Sequence, residues 1–417
     1  RNRMPCAMQG DNGAEDAGTA RQVTRFEGFR LESAFQPIFS HAHHRAVGQE
    51  ALLRITDASG QPVAPLHFLC RDWPEADAIA LNEVVARLHV ANFCRARPGQ
   101  QWLFLNVDPV DARRTRLAAQ TLGETLAAAN LDPADVVIEI VEQDIPNPGD
   151  LLDIVAAYRE LGCLIAIDDF GTGFSNLSRM IRFRPDIVKL DRTFVTDSRN
   201  DVQAARCLPL IVNMLHEIGS LVLAEGVENE AHALDAVRAD VDLMQGYYFA
   251  RPSTELASTG LEHLPAGGLP QAYDQQVQDH ESALQQALDA YTRAFMQLRA
   301  AVARGVSLEN AASDLLSLPR MVRLYCLDDA GRQRGASIDG ANRHVLNRMP
   351  HRPLLDSDGA NWAHRPYFRR ARTDPGHLQV TRPYLSLTGS YMCVTLSQVT
   401  RIGRSDSILC CDLEYPL

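Results

Sequence analysis

The sequence contains no run of about eighteen or more consecutive apolar residues, and it does not begin with a charged stretch followed by an apolar one. A membrane-spanning helix requires the first feature and a secretory signal the second, so we expect neither. The nine cysteines are scattered and form no Cys-x-x-Cys pair, which favours reduced intracellular thiols over a disulfide framework. These absences together predict a cytoplasmic protein.

The sequence also has fewer basic than acidic residues. The chain has 41 Lys and Arg residues against 52 Asp and Glu, with a formal net charge of −11 and a pI near 5.6. A protein that binds duplex nucleic acid needs a basic surface, so this composition argues against that function. A small anionic substrate remains compatible with it, provided that cations at the site bind the substrate's negative charge.

At 417 residues the chain is too long for one ordinary hydrophobic core and predicts two domains. Residues 1–26 are rich in Gly, Ala, Asp and Asn without sustained periodicity, and we interpret them as an N-terminal tail. We assign no function to that tail.

Eight short strand-like segments follow, separated by segments of helix length over about 220 residues. They are Ala34–Phe39, Ala46–Leu53, Trp102–Val107, Val136–Val141, Leu164–Ile167, Ile187–Leu190, Leu221–Ala224 and Leu243–Gln245. Eight strands with helix-length segments between them are typical of an α/β TIM-type barrel. The alternative, an open doubly wound sheet, normally has a Gly-rich phosphate-binding turn after its first strand, and the sequence lacks one.

Seven of these segments contain a polar side chain or are directly followed by one. The residues are Glu50, Asn106, Glu139, the pair Asp168 and Asp169, Lys189, Glu225 and Gln245. In a barrel the C-terminal ends of the strands converge on one opening, where such enzymes place their active sites. Oxygen ligands without His or Cys suit Mg²⁺ or Mn²⁺ rather than zinc.

Two such ions about 3.5–4 Å apart can activate a water molecule and hold both reacting oxygens of a phosphodiester. Lys189, one strand after the Asp pair, is then a candidate to hold that water or to neutralise the phosphorane. The alternative is a lysine that only forms salt bridges. Gly171 and Gly173 give the backbone after the Asp pair the freedom that a loop over a substrate or a metal needs.

Glu50-Ala51-Leu52, within Gln49–Arg54, resembles the signature of the EAL-domain family of cyclic-di-GMP phosphodiesterases, which are TIM-like barrels. Further motifs of that family follow in order: Phe35–Ile38 before it, then Leu105–Val107, Glu139–Glu142, Asp168–Gly173, Val188–Asp191, Ala224–Glu228, Gln245–Tyr247 and Arg251-Pro252. So many ordered motifs make the resemblance specific. It covers roughly residues 27–255, and we place the barrel domain at 27–260.

The resemblance implies a role for each matching residue. Metal ligands would be Glu50, Asn106, Glu139, Asp168, Asp169 and Glu225. Lys189 would be catalytic, with Gln245 orienting water, Glu142 holding the Asp-Phe-Gly loop and Glu228 as a further acidic position of the site. Gln36, Arg54 and Pro252 would contact the nucleotide, and the guanidinium of Arg54 suits a phosphate. Val141, Phe174 and Asn176 depart from the family's usual residues, but none of these departures removes a ligand.

The region after the barrel begins with an amphipathic stripe. Between residues 274 and 303, apolar residues recur at three- and four-residue spacing: Leu284, Leu288, Tyr291, Phe295, Leu298 and Val302. This spacing predicts one long helix, and we place a linker and connecting helix at 261–304. An exposed stripe of that size needs a partner surface, so together with the resemblance it predicts a homodimer.

Residues 305–417 predict a small antiparallel α+β domain. A helix is expected after Ser307 as N-cap and must end before Pro319. The expected strands are Met321–Leu327, Gln379–Val380, Tyr391–Leu396 and Ser407–Leu413.

Arg365–Ala371, Arg382–Ser386 and Thr388-Gly389 resemble PAS-like sensor domains of the Cache type. A barrel followed by such a module is similar to the cytoplasmic YkuI-type arrangement, which implies regulation by an unidentified small ligand. Arg365, Tyr367 and Tyr384 are the pocket candidates. The alternative for them is a core of aromatic residues with a salt-bridged arginine.

The sequence therefore predicts a metal-dependent phosphodiesterase that opens cyclic-di-GMP to linear pGpG, with Ca²⁺ supporting binding but not cleavage. The first alternative is a catalytically inactive receptor for the same dinucleotide. The second is an interaction protein whose barrel is only a scaffold. Both alternatives would be expected to lose metal ligands, and the sequence keeps them.

Overall fold

The computed structural model describes residues 21–69, 71–96, 99–107, 112–141, 148–171, 177–255, 268–341, 357–386, 392–403 and 405–415. The chain divides into two compact units, Arg1–Asp274 and Gln275–Leu417. Along the described ranges, no helix combines the length and the hydropathy needed to cross a membrane.

The first unit consists of ten strands and the helices that connect them along the described ranges. The strands are β1 (Thr24–Phe26), β2 (Phe29–Ser40), β3 (Arg45–Thr56), β4 (Pro62–Val63), β5 (Trp102–Asn106), β6 (Val136–Val141), β7 (Leu164–Phe170), β8 (Ile187–Leu190), β9 (Leu221–Ala224) and β10 (Leu243–Met244). The helices are α1 (Pro65–Leu69), α2 (Glu75–Ala96), α3 (Ala112–Ala129), α4 (Pro148–Leu161), α5 (Leu177–Phe183), α6 (Arg192–Asn200), α7 (Val202–Ile218) and α8 (Glu230–Arg238).

Eight of these strands form a closed barrel. Hydrogen-bonded neighbours run in the order β2, β10, β9, β8, β7, β6, β5 and β3, and β3 pairs back with β2. Strands β3 and β5 to β10 are parallel to one another, whereas β2 is antiparallel to both of its neighbours. The prediction of a TIM-type barrel is confirmed.

The expectation that helices separate all eight strands is wrong for the first pair. The short turn His41–His44 joins β2 to β3, and the two strands form an antiparallel hairpin in which Gln36 lies opposite Glu50. A parallel connection needs about a dozen residues or more, so a turn of this length permits only the antiparallel arrangement.

The barrel interior contains an apolar cluster made of one residue from most strands. Its members are Ile38, Phe104, Val137, Ala166, Ile187, Leu223 and Leu243. Gly48 leaves room for the ring of Phe104, because a Cβ there would lie only 2.7 Å from Cε2 of that ring. The alternate residues of the strands, such as Leu103, Ile138 and Val188, pack with the helices in a larger outer core.

The second unit is an antiparallel sheet with helices. It contains α9 (Gly268–Ala303), which begins before the unit boundary, then α10 (Leu308–Ala311), α11 (Ser313–Leu316), β11 (Met321–Leu327), β12 (Ile338–Asp339), α12 (Pro366–Thr373), β13 (Gln379–Val380), β14 (Tyr384–Leu385), β15 (Met392–Ile402) and β16 (Ser405–Glu414). The strand order is β12, β11, β16, β15 and β13, with β14 also paired to β15. The small separate sheet agrees with the predicted α+β architecture, and Ser307 caps α10 as expected.

The apolar stripe of α9 is buried within this unit. Leu288, Tyr291, Phe295, Leu298 and Val302 pack with the core residues of the sheet, which include Leu324, Leu396, Leu409 and Cys411. The expectation of an exposed stripe that requires a partner chain is therefore wrong. Sequence periodicity identifies an apolar helix face but does not show which surface covers it.

On the α12 side, the predicted pocket residues lie in or beside a second apolar cluster. Tyr367 is 2% exposed and packs with Tyr325 and Phe368, and the Tyr384 hydroxyl lies 2.7 Å from Oγ1 of Thr395. These contacts fit the core-aromatic alternative. The guanidinium of Arg365 lies 5.7 Å from the centre of the Tyr384 ring.

We expect Phe295→Ala to destabilise the second unit by about 3–5 kcal/mol, because the ring is fully buried between α9 and the sheet. Met296→Ala, at the next and 37% exposed position, is the control and should change stability by less than about 1 kcal/mol. Differential scanning calorimetry measures both. Equal effects of the two substitutions would contradict the assignment of the stripe to this core.

Candidate active site

Most of the predicted site residues lie two residues further along their strands than the apolar cluster inside the barrel. Side chains of a strand face the same side every two residues. Two positions after six members of the apolar cluster come Asn106, Glu139, Asp168, Lys189, Glu225 and Gln245. The structure thus brings the polar ends of separate strands together, as the barrel geometry predicts.

Lys189 is the centre of this group. Its ammonium Nζ lies 2.7 Å from Oε1 of Glu139 and 2.7 Å from Oε1 of Glu225. Oδ1 of Asp168 is 3.2 Å away and Oε1 of Glu50 is 3.8 Å away. The lysine side chain is only 1% exposed, so one buried cation faces four carboxylates.

Lys189 is also the only lysine in the sequence, since every other basic residue counted with it is arginine. An ammonium group is a compact point charge with three donors, whereas a guanidinium is a planar fork. Only the compact group can place one nitrogen among several carboxylates that converge from different strands. A single ammonium nitrogen therefore suits the centre of this group, where four carboxylates face it.

Two amides complete the surroundings of Glu50. Nδ2 of Asn106 donates to Oε1 at 3.2 Å, and Nε2 of Gln245 donates to Oε2 at 2.7 Å. Burial raises the pKa of Glu50, but Lys189 and the two amide donors outweigh it and hold that pKa below its usual value. Glu50 is therefore ionised at neutral pH.

For Glu139 and Glu225, burial outweighs the charge of Lys189, and the pKa of each is raised. Burial and the charge of Glu50 raise the pKa of Glu139 well above its usual range. Burial also raises the pKa of Glu225 to about 7, although Lys189 opposes the rise. Burial alone would lower the pKa of Lys189, but the surrounding carboxylates hold it well above its usual value. The site thus has more carboxylate than its single cation can balance.

The carboxylates are arranged so that they can hold a cation. Ligand oxygens of Asp168, Asp169 and Glu225 all lie within 4.8 Å of one another. The donors are oxygens of carboxylates and amides, as Mg²⁺ and Mn²⁺ prefer. A divalent cation would also favour the ionised forms of Glu139 and Glu225, the two glutamates whose pKa burial raises. The residues present fit the predicted metals.

The predicted substrate-binding residues lie at the edge of this group. Gln36 lies opposite Glu50 in the hairpin, and its Nε2 donates to the carbonyl of Ala250 at 3.2 Å. Phe35 and Ser253 exchange backbone hydrogen bonds of 2.6 and 2.9 Å, which brings Pro252 beside Gln36. Arg54 is exposed further along β3.

One predicted acidic residue, Glu228, is not among the described contacts of Lys189. Glu228 is exposed, and its backbone N–H donates to Nδ1 of His232 at 3.4 Å. Glu142 lies outside the described residues, as do Thr172 and Gly173 of the Asp-Phe-Gly motif. Their assigned roles stay predictions.

One contact at the site had no sequence signal. The ring of Phe194, in the first turn of α6, lies against Gly171 and stacks on Phe170 at the end of β7. Phe194 is five positions after Lys189 and on a different element, so strand patterns do not reveal it.

Together, the fold and the site define a TIM-type barrel with an acidic, lysine-centred cluster of side chains at the C-terminal ends of its parallel strands. A family model described as EAL domain matches residues 20–252, more than half of the chain. The chain belongs to the EAL-domain family.

Relatives support this assignment. The chain is 27% identical over 251 residues to the cyclic di-GMP phosphodiesterase RocR of Pseudomonas aeruginosa, covering 58% of this chain and 62% of that protein. The chain spans less than two thirds of the length of the curated relatives it matches.

Two solved structures are similar to the chain. The Bacillus subtilis YkuI protein, in complex with substrate cyclic-di-GMP and calcium, matches with a TM-score of 0.75 and 22% identity over 93% of this chain and 97% of that one, which shows the fold alone. Klebsiella pneumoniae BlrP1, in a manganese and cyclic-di-GMP complex, matches with a TM-score of 0.50 and 28% identity over 56% of this chain and 58% of that one.

Proposed function

We propose that the barrel is a metal-dependent phosphodiesterase that hydrolyses cyclic-di-GMP to linear pGpG. The observation that carries the proposal is the set of four carboxylates around the buried Lys189, with Asp169 and two amides beside it. Relatives named cyclic di-GMP phosphodiesterases support the substrate. An inactive receptor would not need this set of residues.

Each group would have a defined part in the reaction. Glu50, Asn106, Glu139, Asp168, Asp169 and Glu225 would hold two Mg²⁺ or Mn²⁺ ions. The ions supply charge that activates a water molecule and stabilises the reacting oxygens. The water oxygen bonds to phosphorus, the bond from phosphorus to one ribose oxygen breaks, and that ribose oxygen takes up a proton.

Lys189 would act as a hydrogen-bond donor rather than as a base, because the surrounding carboxylates hold its pKa well above its usual value. An ammonium that stays charged can stabilise the negative charge that develops on the phosphoryl oxygens. Gln245 would orient the water, Glu142 would hold the Asp-Phe-Gly loop and Glu228 would add negative charge. Gln36, Arg54 and Pro252 would position the dinucleotide.

The test is incubation of the full chain with cyclic-di-GMP and Mg²⁺, Mn²⁺ or Ca²⁺, with products separated by chromatography. We expect pGpG with Mg²⁺ and Mn²⁺. Ca²⁺, which is larger and adopts looser geometry, should support binding without cleavage. Binding with no product under any metal would reject the enzyme and favour the receptor, and no binding at all would favour a scaffold.

We further propose that the second unit is a PAS-like regulator of a cytoplasmic homodimer, from domain order and family resemblance. A ligand can regulate only by favouring one arrangement over another, and coupling of about 1–3 kcal/mol would change activity about 5- to 150-fold. Truncation after residue 304 is unsuitable, because it would uncover the stripe of α9. Phe295→Ala in the full chain is a better test, and unchanged turnover would count against regulation.

Sedimentation showing only monomer at micromolar concentration would count against the dimer.

A further inference from the structure

The first turn of α6 is packed against Gly171, directly after β7, and against Gly226, two residues after β9. After β7, a Cβ on Gly171 would lie 2.1 Å from Cε2 of Phe194. After β9, a Cβ on Gly226 would lie 2.3 Å from Cβ of Arg192. Only glycine permits such close approach at these two positions, so α6 lies directly against the backbone at Gly171 and at Gly226.

Phe194 also holds the end of β7 itself. Its ring stacks on that of Phe170, with 6.3 Å between ring centres and 18° between planes. Asp191, the N-cap of α6, accepts a hydrogen bond from the Thr193 N–H at 2.9 Å, and its own N–H donates to the carbonyl of Phe170 at 3.4 Å. The helix start and the strand end are therefore joined through both side chains and backbone.

The strand end held in this way has an unfavourable conformation. The pairing of β7 with β8 shifts register between Ile167 and Phe170. Asp169, within that shift, has a φ of 54°, in the left-handed region that is uncommon outside glycine, although Asp and Asn adopt it more readily than other residues. Such a conformation persists only where the surrounding structure holds it. In this conformation a carboxylate oxygen of Asp169 lies within 4.8 Å of oxygens of Asp168 and Glu225, close enough for the three to share one cation.

We propose that Phe194 is a positioning residue of the metal site. Its ring, stacked on Phe170 and pressed against Gly171, keeps Asp169 in the left-handed conformation that completes the carboxylate group. The inference rests on the proposed metal-dependent function. Phe194 then affects metal affinity indirectly, through its contacts with Phe170 and Gly171.

The test compares Phe194→Leu with Phe93→Leu. Phe93 is also a phenylalanine of the outer barrel core, and its ring lies 6.4 Å from that of Phe35 on the side of α2. Both substitutions remove the same atoms. We expect Phe194→Leu to weaken Mn²⁺ affinity about 10- to 100-fold, the range for groups that orient metal ligands, while Phe93→Leu leaves it unchanged.

Metal binding is measured without activity. Since the chain has one lysine, ¹³C-lysine labelling gives a single Cε signal, from Lys189, which Mg²⁺ titration should shift. Isothermal titration with Mn²⁺ gives the affinity.

Turnover of Phe194→Leu should recover at high Mn²⁺, with KM for cyclic-di-GMP unchanged. A merely structural role would produce no such recovery.

The outcomes separate this inference from the function on which it rests. A wild-type protein that binds neither ion would overturn the proposed function and the inference with it. A folded Phe194→Leu protein with wild-type Mn²⁺ affinity would overturn the inference alone. If that variant does not fold, Phe194→Met, which keeps most of the volume but no flat ring, decides in the same way.

A double-mutant cycle tests the contact itself. In the wild-type background, Gly171→Ala introduces both a strained backbone and an overlap with the Phe194 ring. In the Phe194→Leu background the ring is gone, so Gly171→Ala should cost less metal affinity than it does alone. Additive losses would overturn the role of this contact.

Discussion

Lys189→Arg is expected to reduce turnover of cyclic-di-GMP by about 100-fold or more, although the substitution keeps the charge. Nζ of Lys189 lies 2.7 Å from two carboxylates and 3.2 Å from a third, in a side chain that is 1% exposed. A guanidinium spreads its charge over three nitrogens in a plane and is larger, so it cannot place one donor at that point. Steady-state kinetics with saturating Mn²⁺ measures the loss.

The control is Arg293→Lys, the reverse exchange at an exposed ion pair with Asp289 in α9. It should leave turnover unchanged. The larger group at Lys189 should also destabilise the first unit by about 1–3 kcal/mol through overpacking. An arginine variant with wild-type turnover would show that the site needs only a positive charge and would contradict the proposed role of Lys189.

Asp168→Asn is expected to abolish hydrolysis while keeping the fold. The change is isosteric and removes one negative charge, which lowers the affinity of the site for a divalent cation. Without that cation, the negative charge that develops on the phosphoryl oxygens loses its main stabilisation. We expect at least about a 100-fold loss of turnover, since even residues that only orient ligands cost 10- to 100-fold. Kinetics and Mn²⁺ titration of the same sample measure it.

The stability of this variant provides a second check. In metal-free buffer Asp168 is one of four carboxylates around a single cation, so its neutralisation relieves repulsion and should not lower Tm. Asp153→Asn, an exposed carboxylate of α4, is the control and should change neither property. Retained turnover in Asp168→Asn would reject the two-metal assignment.

Most of the barrel could be predicted because its signal is local. Most strands are short apolar segments, and six of the polar residues come two positions after an apolar residue of the interior cluster, as Lys189 does after Ile187. A barrel brings strand ends together by its closure, so residue order along separate strands was enough to predict which side chains meet.

Other features depended on packing between segments distant in sequence. The stripe of α9 was identified from periodicity, but the surface that covers it was not, and the β15–β16 sheet covers it rather than another chain. The pKa of Glu225 is raised to about 7 by burial and by the charges of Asp168 and Glu50. These neighbours come from separate segments of the chain, so the local sequence does not reveal the shift.

The sequence by itself determined the barrel and the side chains that meet at the C-terminal ends of its parallel strands, since these follow from two-residue alternation and from barrel closure. It did not reveal the antiparallel hairpin of β2 and β3. Only the tertiary structure decided that Lys189 lies at the centre of the carboxylates, that the stripe of α9 is internal and that Phe194 supports the end of β7. The physical reason is that alternation specifies which way a side chain faces within its own element, whereas distance, burial and charge depend on what the rest of the chain places opposite it.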